Sequence, residues 1–147
     1  MGLDIYVSWP DMTEEEKNAR YTGFQNAGKA GYLRQSWGSL RAWDEVCQAI
    51  FSESFTALIY PKWAGSNDGL GPDMKNMDER KRLEQTIDKL EKFINETPDD
   101  SAVLPDSARG YFKDWDKRIQ IIKDEFQEVI DFLKLALSKE GSEIKFS

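Results

Sequence analysis

Apolar and polar side chains alternate over residues 2–8, where Leu3, Ile5 and Val7 are spaced by Asp4 and Tyr6. A period of two puts the apolar set on one side of an extended chain, so this stretch predicts a strand, ending at Trp9-Pro10. Thr13, with Glu16 three residues on, forms a capping-box pair and predicts a helix from there to about residue 24. Glycines at 23, 28 and 31 break regularity, and residues 32–34 fit either a short strand or an exposed turn. Ser39 is a candidate N-cap for a helix over 40–52, which would carry Leu40, Trp43, Val46, Cys47, Ile50 and Phe51 on one face. Residues 55–60 read as a second strand stopped by Pro61, and the glycine-rich stretch 65–72 as a connector or lid.

The period then changes. Leu83, Ile87, Leu90 and Ile94 recur at helical spacing, as do Phe112, Trp115, Ile119, Ile122, Phe126, Val129 and Leu133. Two helices follow, packed as an antiparallel hairpin with its turn at 98–106, and Asp88 to Lys92 and Asp114 to Arg118 set acid before base four residues apart. Residues 142–147 alternate again after Gly141 and offer an edge strand beside the first. The expected architecture is α+β and mainly helical: a short antiparallel sheet of 2–8, 55–60 and the tail, packed against a long helical hairpin. Residues 1–147 form a single domain, with 1–64 the mixed strand and helix part that holds the candidate ligand site and 73–140 the hairpin.

Composition supports a folded domain, since 39% of the 147 residues are apolar and five Trp and eight Phe argue against disorder. No apolar run is long enough for a bilayer, and the first residues lack the regions of a signal peptide. The expectation is no membrane partner and a cytoplasmic location. A net charge of −7 weighs against a long nucleic acid as partner, because its phosphates would be repelled over most of the surface. The chain has no histidine and one cysteine, which removes the usual zinc ligands, a Ser-His-Asp or Cys-His mechanism and an internal disulfide. Cys47, beside Val46 and Ile50, reads as a small buried hydrophobe. The 65–72 loop has neither the Gly-Lys-Ser/Thr of a phosphate loop nor the ligand spacing of a calcium loop, so no cofactor is expected.

Charge is unevenly distributed. Residues 17–43 contain Lys17, Arg20, Lys29, Arg34 and Arg41 and no carboxylate, a local +5 that leaves −12 for the other 120 residues. Arginines interleaved with aromatic rings suit an anion attached to a flat ring system. The candidate ligand site is Tyr32, Arg34, Ser36, Trp37, Arg41 and Trp43, with Lys62 and Trp63 as a second basic and stacking pair and Tyr6 and Trp9 as a floor. The competing expectation has Tyr32, Leu33, Trp37 and Trp43 in the core and the arginines paired with acidic helices. Asp124, Glu125 and Glu128 have a spacing that suits a hard cation, but a solvated helix face accounts for them as well. Asp44 and Glu45 read as acids in the first turn of their helix.

The opening Met1-Gly-Leu-Asp-Ile-Tyr6 with Gly31-Tyr-Leu-Arg34 and Ser36-Trp37 resembles a set of small uncharacterised phage and bacterial proteins, over roughly the first third of the chain. In that set a Tyr is usual where Trp37 stands, and Gln35 is interposed here before Ser36. The resemblance implies a phage or mobile-element setting and transfers no catalytic residue. The functional expectation is a non-enzymatic counter-defence protein that sequesters a small anionic ligand such as a signalling nucleotide. Alternatives are an acidic inhibitor of a host protein and a carboxylate, metal-dependent hydrolase; a second copy of the chain is a further partner.

Overall fold

Strand β1 (Gly2–Ser8) is the centre of a three-stranded sheet, flanked by β2 (Tyr32–Ser36) and β3 (Glu143–Phe146), both antiparallel to it. The computed structural model describes residues 2–19, 27–63, 65 and 69–147. Alternation sends Leu3, Ile5, Val7, Leu33, Ile144 and Phe146 inward, and the register sets Asp4 opposite Arg34 and Tyr6 opposite both Tyr32 and Lys145 on the outer face. The tail is thus a strand beside the first, as its alternation predicts. Its far edge is lined by chain: Gly69 N–H donates to Phe146 O at 2.8 Å, and Gly71 passes so close that a Cβ there would lie 2.0 Å from Ile144 O.

Residues 55–60 are not a strand. Thr56–Leu58 form a single 3-10 turn whose backbone groups are bonded locally within the turn and by side chains from other elements rather than by a ladder. Asp44 accepts from Phe55 N–H at 2.9 Å, Thr86 donates to Leu58 O at 2.8 Å, and Arg82 donates to the carbonyls of Leu58 and Ile59. With those groups satisfied, Phe55, Leu58 and Ile59 are fully buried without a neighbouring strand. A short apolar run cannot by itself distinguish these two solutions.

Helix α1 (Glu14–Ala19) opens on the expected box: Glu16 N–H donates to Thr13 Oγ1 at 3.1 Å and Thr13 N–H to Glu16 Oε1 at 3.0 Å. Its expected continuation to residue 24 lies outside the described residues. Helix α2 (Trp37–Phe51) begins three residues before the expected start because Ser36, not Ser39, is the cap, its Oγ accepting from Ser39 N–H at 3.1 Å. Leu40, Val46 and Cys47 are buried, with Trp43, Ile50 and Phe51 packed against them.

Helices α3 (Met77–Glu96) and α4 (Arg118–Ser138) form the hairpin. Their antiparallel sense is fixed by cross-links from end to end, Arg80 to Leu137 O at 2.9 Å, Lys134 to Glu91 at 2.8 Å and Lys123 to Asp99 at 3.6 Å. Phe126 sits between Phe51 and Phe93, ring centres 5.6 and 5.3 Å away, and ties three helices into one core. The connection is longer than expected: Phe112 and Trp115 precede α4, in and beside the short turns Asp106–Tyr111 and Trp115–Lys117. Neither expected helix-surface ion pair forms. Asp114 accepts from Asp116 N–H, and Arg118 donates to the carbonyls of Trp115 and Ser101 at 3.0 Å each. Among the described residues, no helix is long and apolar enough to cross a membrane.

Candidate functional site

The fold divides the expected ligand residues among several places. Tyr6, Tyr32 and Arg34 stand on the outer face of the sheet. Asp4, opposite Arg34 in register, accepts from the Tyr32 hydroxyl at 2.7 Å and from the Arg34 guanidinium at 3.1 Å, while the rings of Tyr6 and Tyr32 stack with centres 5.1 Å apart. Hydrogen bonding with Tyr32, then the Asp4 charge, holds the Arg34 guanidinium above its ordinary range; burial and the bond to Asp4 push the Tyr32 phenol up. Arg34 therefore already has its counter-charge, supplied by a residue 30 positions earlier. Ser36 is occupied as the α2 cap, and Trp9 packs on the core with Lys139 over its ring at 5.0 Å.

A second group does converge. Trp37, Arg41, Asp44, Glu45 and Gln48 recur along α2 at helical spacing and, with Trp63 and Pro105, line an open groove of about 650 Å³. Trp37 is 39% exposed, while Trp63 rests one side on Phe146 with ring centres 5.9 Å apart. Arg41 is exposed and makes no ion pair with a described residue. Asp44 is held by Phe55 N–H, and burial pushes its carboxyl up. It lies mid-helix, so its capping role serves the following turn and not the first turn of its own helix. Hydrogen bonding with Glu45, then burial, pushes the Tyr111 phenol up. Lys62 is exposed beside Trp63 but does not line the groove, and neither do Tyr6, Trp9 or Trp43.

The three acids of α4 turn to three different partners. Asp124 accepts from Gln120 at 2.8 Å, Glu128 from Gly28 N–H at 2.8 Å, and Glu125 from the buried Gln35 amide at 2.5 Å. Gly28 lies so close to α4 that a Cβ would fall 2.2 Å from Glu128 O. Burial pushes the Glu125 carboxyl up to about 7. Among the described residues no group of three acids, cysteines or histidines could hold a metal ion. The Cys47 thiol is buried and pushed above its ordinary value. Sequence reasoning missed the Gln35–Glu125 pair; its signal is that Gln35 shares the inward parity of Leu33, where a polar side chain needs a partner.

No protein-family model matches the chain, and no curated protein or solved structure is detectably similar to it.

Proposed function

We propose that this chain is a non-enzymatic binding protein that holds a small planar anion, of the nucleotide class, in the groove along α2. One observation carries the reading: the exposed guanidinium of Arg41, which makes no ion pair with a described residue, shares that groove with the indoles of Trp37 and Trp63. A flat ring can stack on an indole while a phosphate or carboxylate takes charge-assisted bonds from Arg41. The resemblance to phage proteins adds the setting, in which capture of a signalling nucleotide blunts a host response; a cytoplasmic location belongs to the same proposal.

The test is a nucleotide panel scored by thermal stabilisation and tryptophan fluorescence. Arg41→Gln is expected to weaken the best ligand about tenfold or more, as for a lost charge-assisted bond. Arg34→Gln should leave it unchanged, because Asp4 already engages that side chain. Equal affinity in the Arg41 variant, or no stabilisation by any nucleotide, overturns the proposal. Ligand recovered intact after incubation with divalent metal and heating is the outcome expected of capture; cleaved ligand in molar excess over protein is that of a hydrolase.

A protein partner is the second reading, favoured by the exposure of Trp37, Val103 and Tyr111 on α2 and the segment after α3. Trp, Tyr and Arg are the residues that dominate protein interfaces. A co-purifying host protein displaced by Trp37→Ala would select it.

A further inference from the structure

Helix α2 has a concavity on each side. Opposite the groove, Ser39, Ala42, Trp43 and Val46 face Phe112 and Ile121 across a cavity of about 190 Å³, further lined by Tyr111 and Lys113. It shares no lining residue with the groove and does not depend on the function proposed for that site. Its size is that of one ring, since a dry apolar cavity of about 150 Å³ admits benzene. Its walls are mainly aromatic and aliphatic, which suits a ring packed edge or face against Trp43 and Phe112.

The polar groups at this cavity are matched in kind. Ser39 Oγ accepts from the Ser36 hydroxyl at 2.9 Å, so its own proton remains to be donated. Lys113 is exposed and forms no ion pair with a described residue. No carboxylate lines the cavity. Two donors, one of them a full positive charge, thus border a ring-sized apolar space that offers an anion no competing acid. A neutral hydrocarbon would leave both donors unused, and a cation would be repelled by Lys113.

We propose that this cavity binds a single-ring aromatic carboxylate, the ring enclosed by Trp43 and Phe112 and the carboxylate held by Lys113 and Ser39. The whole chain would be titrated with benzoate and with benzyl alcohol, which keeps the ring and loses the charge, reading backbone amide chemical shifts. Saturable benzoate shifts are expected at Ala42, Val46 and Phe112, with benzyl alcohol binding more weakly at the same place. K113Q should lower benzoate affinity about tenfold, the loss of one charge-assisted bond, and leave benzyl alcohol unaffected. A42F, which fills the space, should abolish both. If A42F fails to fold, the benzoate to benzyl alcohol ratio in K113Q still decides, because that side chain is on the surface. The proposal is overturned by an unchanged ratio, by the absence of saturable shifts, or by benzoate shifts centred on Trp37 and Arg41, which would mean binding in the groove instead.

Discussion

Glu125, half-buried on α4, accepts from the Gln35 amide at 2.5 Å, and burial, reinforced by the charge of Glu128 one turn on, pushes its carboxyl from 4.5 to about 7. The folded state therefore binds this proton more tightly than the unfolded chain. Stability attached to the group is full below pH 4.5, falls as pH rises from 4.5 through about 7, and stays low above that. Glu125→Gln should flatten that fall and raise stability near pH 8 by on the order of 2–3 kcal/mol, the amide accepting the same bond from Gln35. Melting temperature against pH for the two proteins checks it, and identical profiles would refute it. Asp4 shows the same scale at work on the surface, since its position opposite Arg34 removes that arginine from the candidate site.

At the scale of elements, caps decide where helices begin. Ser36 precedes α2 and Ser39 lies in its first turn, and the geometry selects Ser36 as the cap, its extended backbone and accepting Oγ closing that turn. Ser36→Ala should cost about 1 kcal/mol in urea unfolding without changing ligand affinity, and Ser36→Asp should recover most of it. A loss of binding with unchanged stability would instead make Ser36 a ligand contact. Trp115 shows how an element is overestimated from pattern: spacings of three and four residues from Phe112 to Ile122 suit an α-helix, but a three-residue step is also the period of a 3-10 turn. The ring is only part-buried, flanked by the guanidinium groups of Arg109 and Arg118 at 4.8 and 4.7 Å. Phe126→Ala is accordingly expected to cost roughly 3–5 kcal/mol, as for a fully buried ring. Trp115→Ala should cost less, about 1–2 kcal/mol. Equal losses in denaturant melts would contradict this ordering.

Across the whole molecule, the first and last strands close the same core. Ile144 and Phe146 are buried, Phe146 packs near Tyr60 and Trp63, and β3 covers one edge of the central strand. Removing residues 143–147 should uncover that edge together with both side chains, giving an unfolded or aggregating chain. A truncated protein that melts like the intact one, with the same far-ultraviolet circular dichroism, would show the tail to be dispensable. Residues 69–71 run alongside the outer edge of β3, Gly69 N–H donating to Phe146 O and Phe146 N–H to Leu70 O.

What the sequence determined is what its periods and caps encode: the alternation of β1 and β3, the stripes of α3 and α4, the Thr13–Glu16 box, and the burial of Cys47. Each depends on neighbours within a few residues, so local physics suffices. Only the tertiary structure decided that 55–60 turn rather than extend, because Asp44, Arg82 and Thr86 come from other elements to satisfy that backbone. It likewise paired Arg34 with Asp4 and Glu125 with Gln35, leaving Arg41 with Trp37 and Trp63 as the groove. Charge pairing and cavity lining are set by distances across the fold, and a linear order of residues carries no such distances.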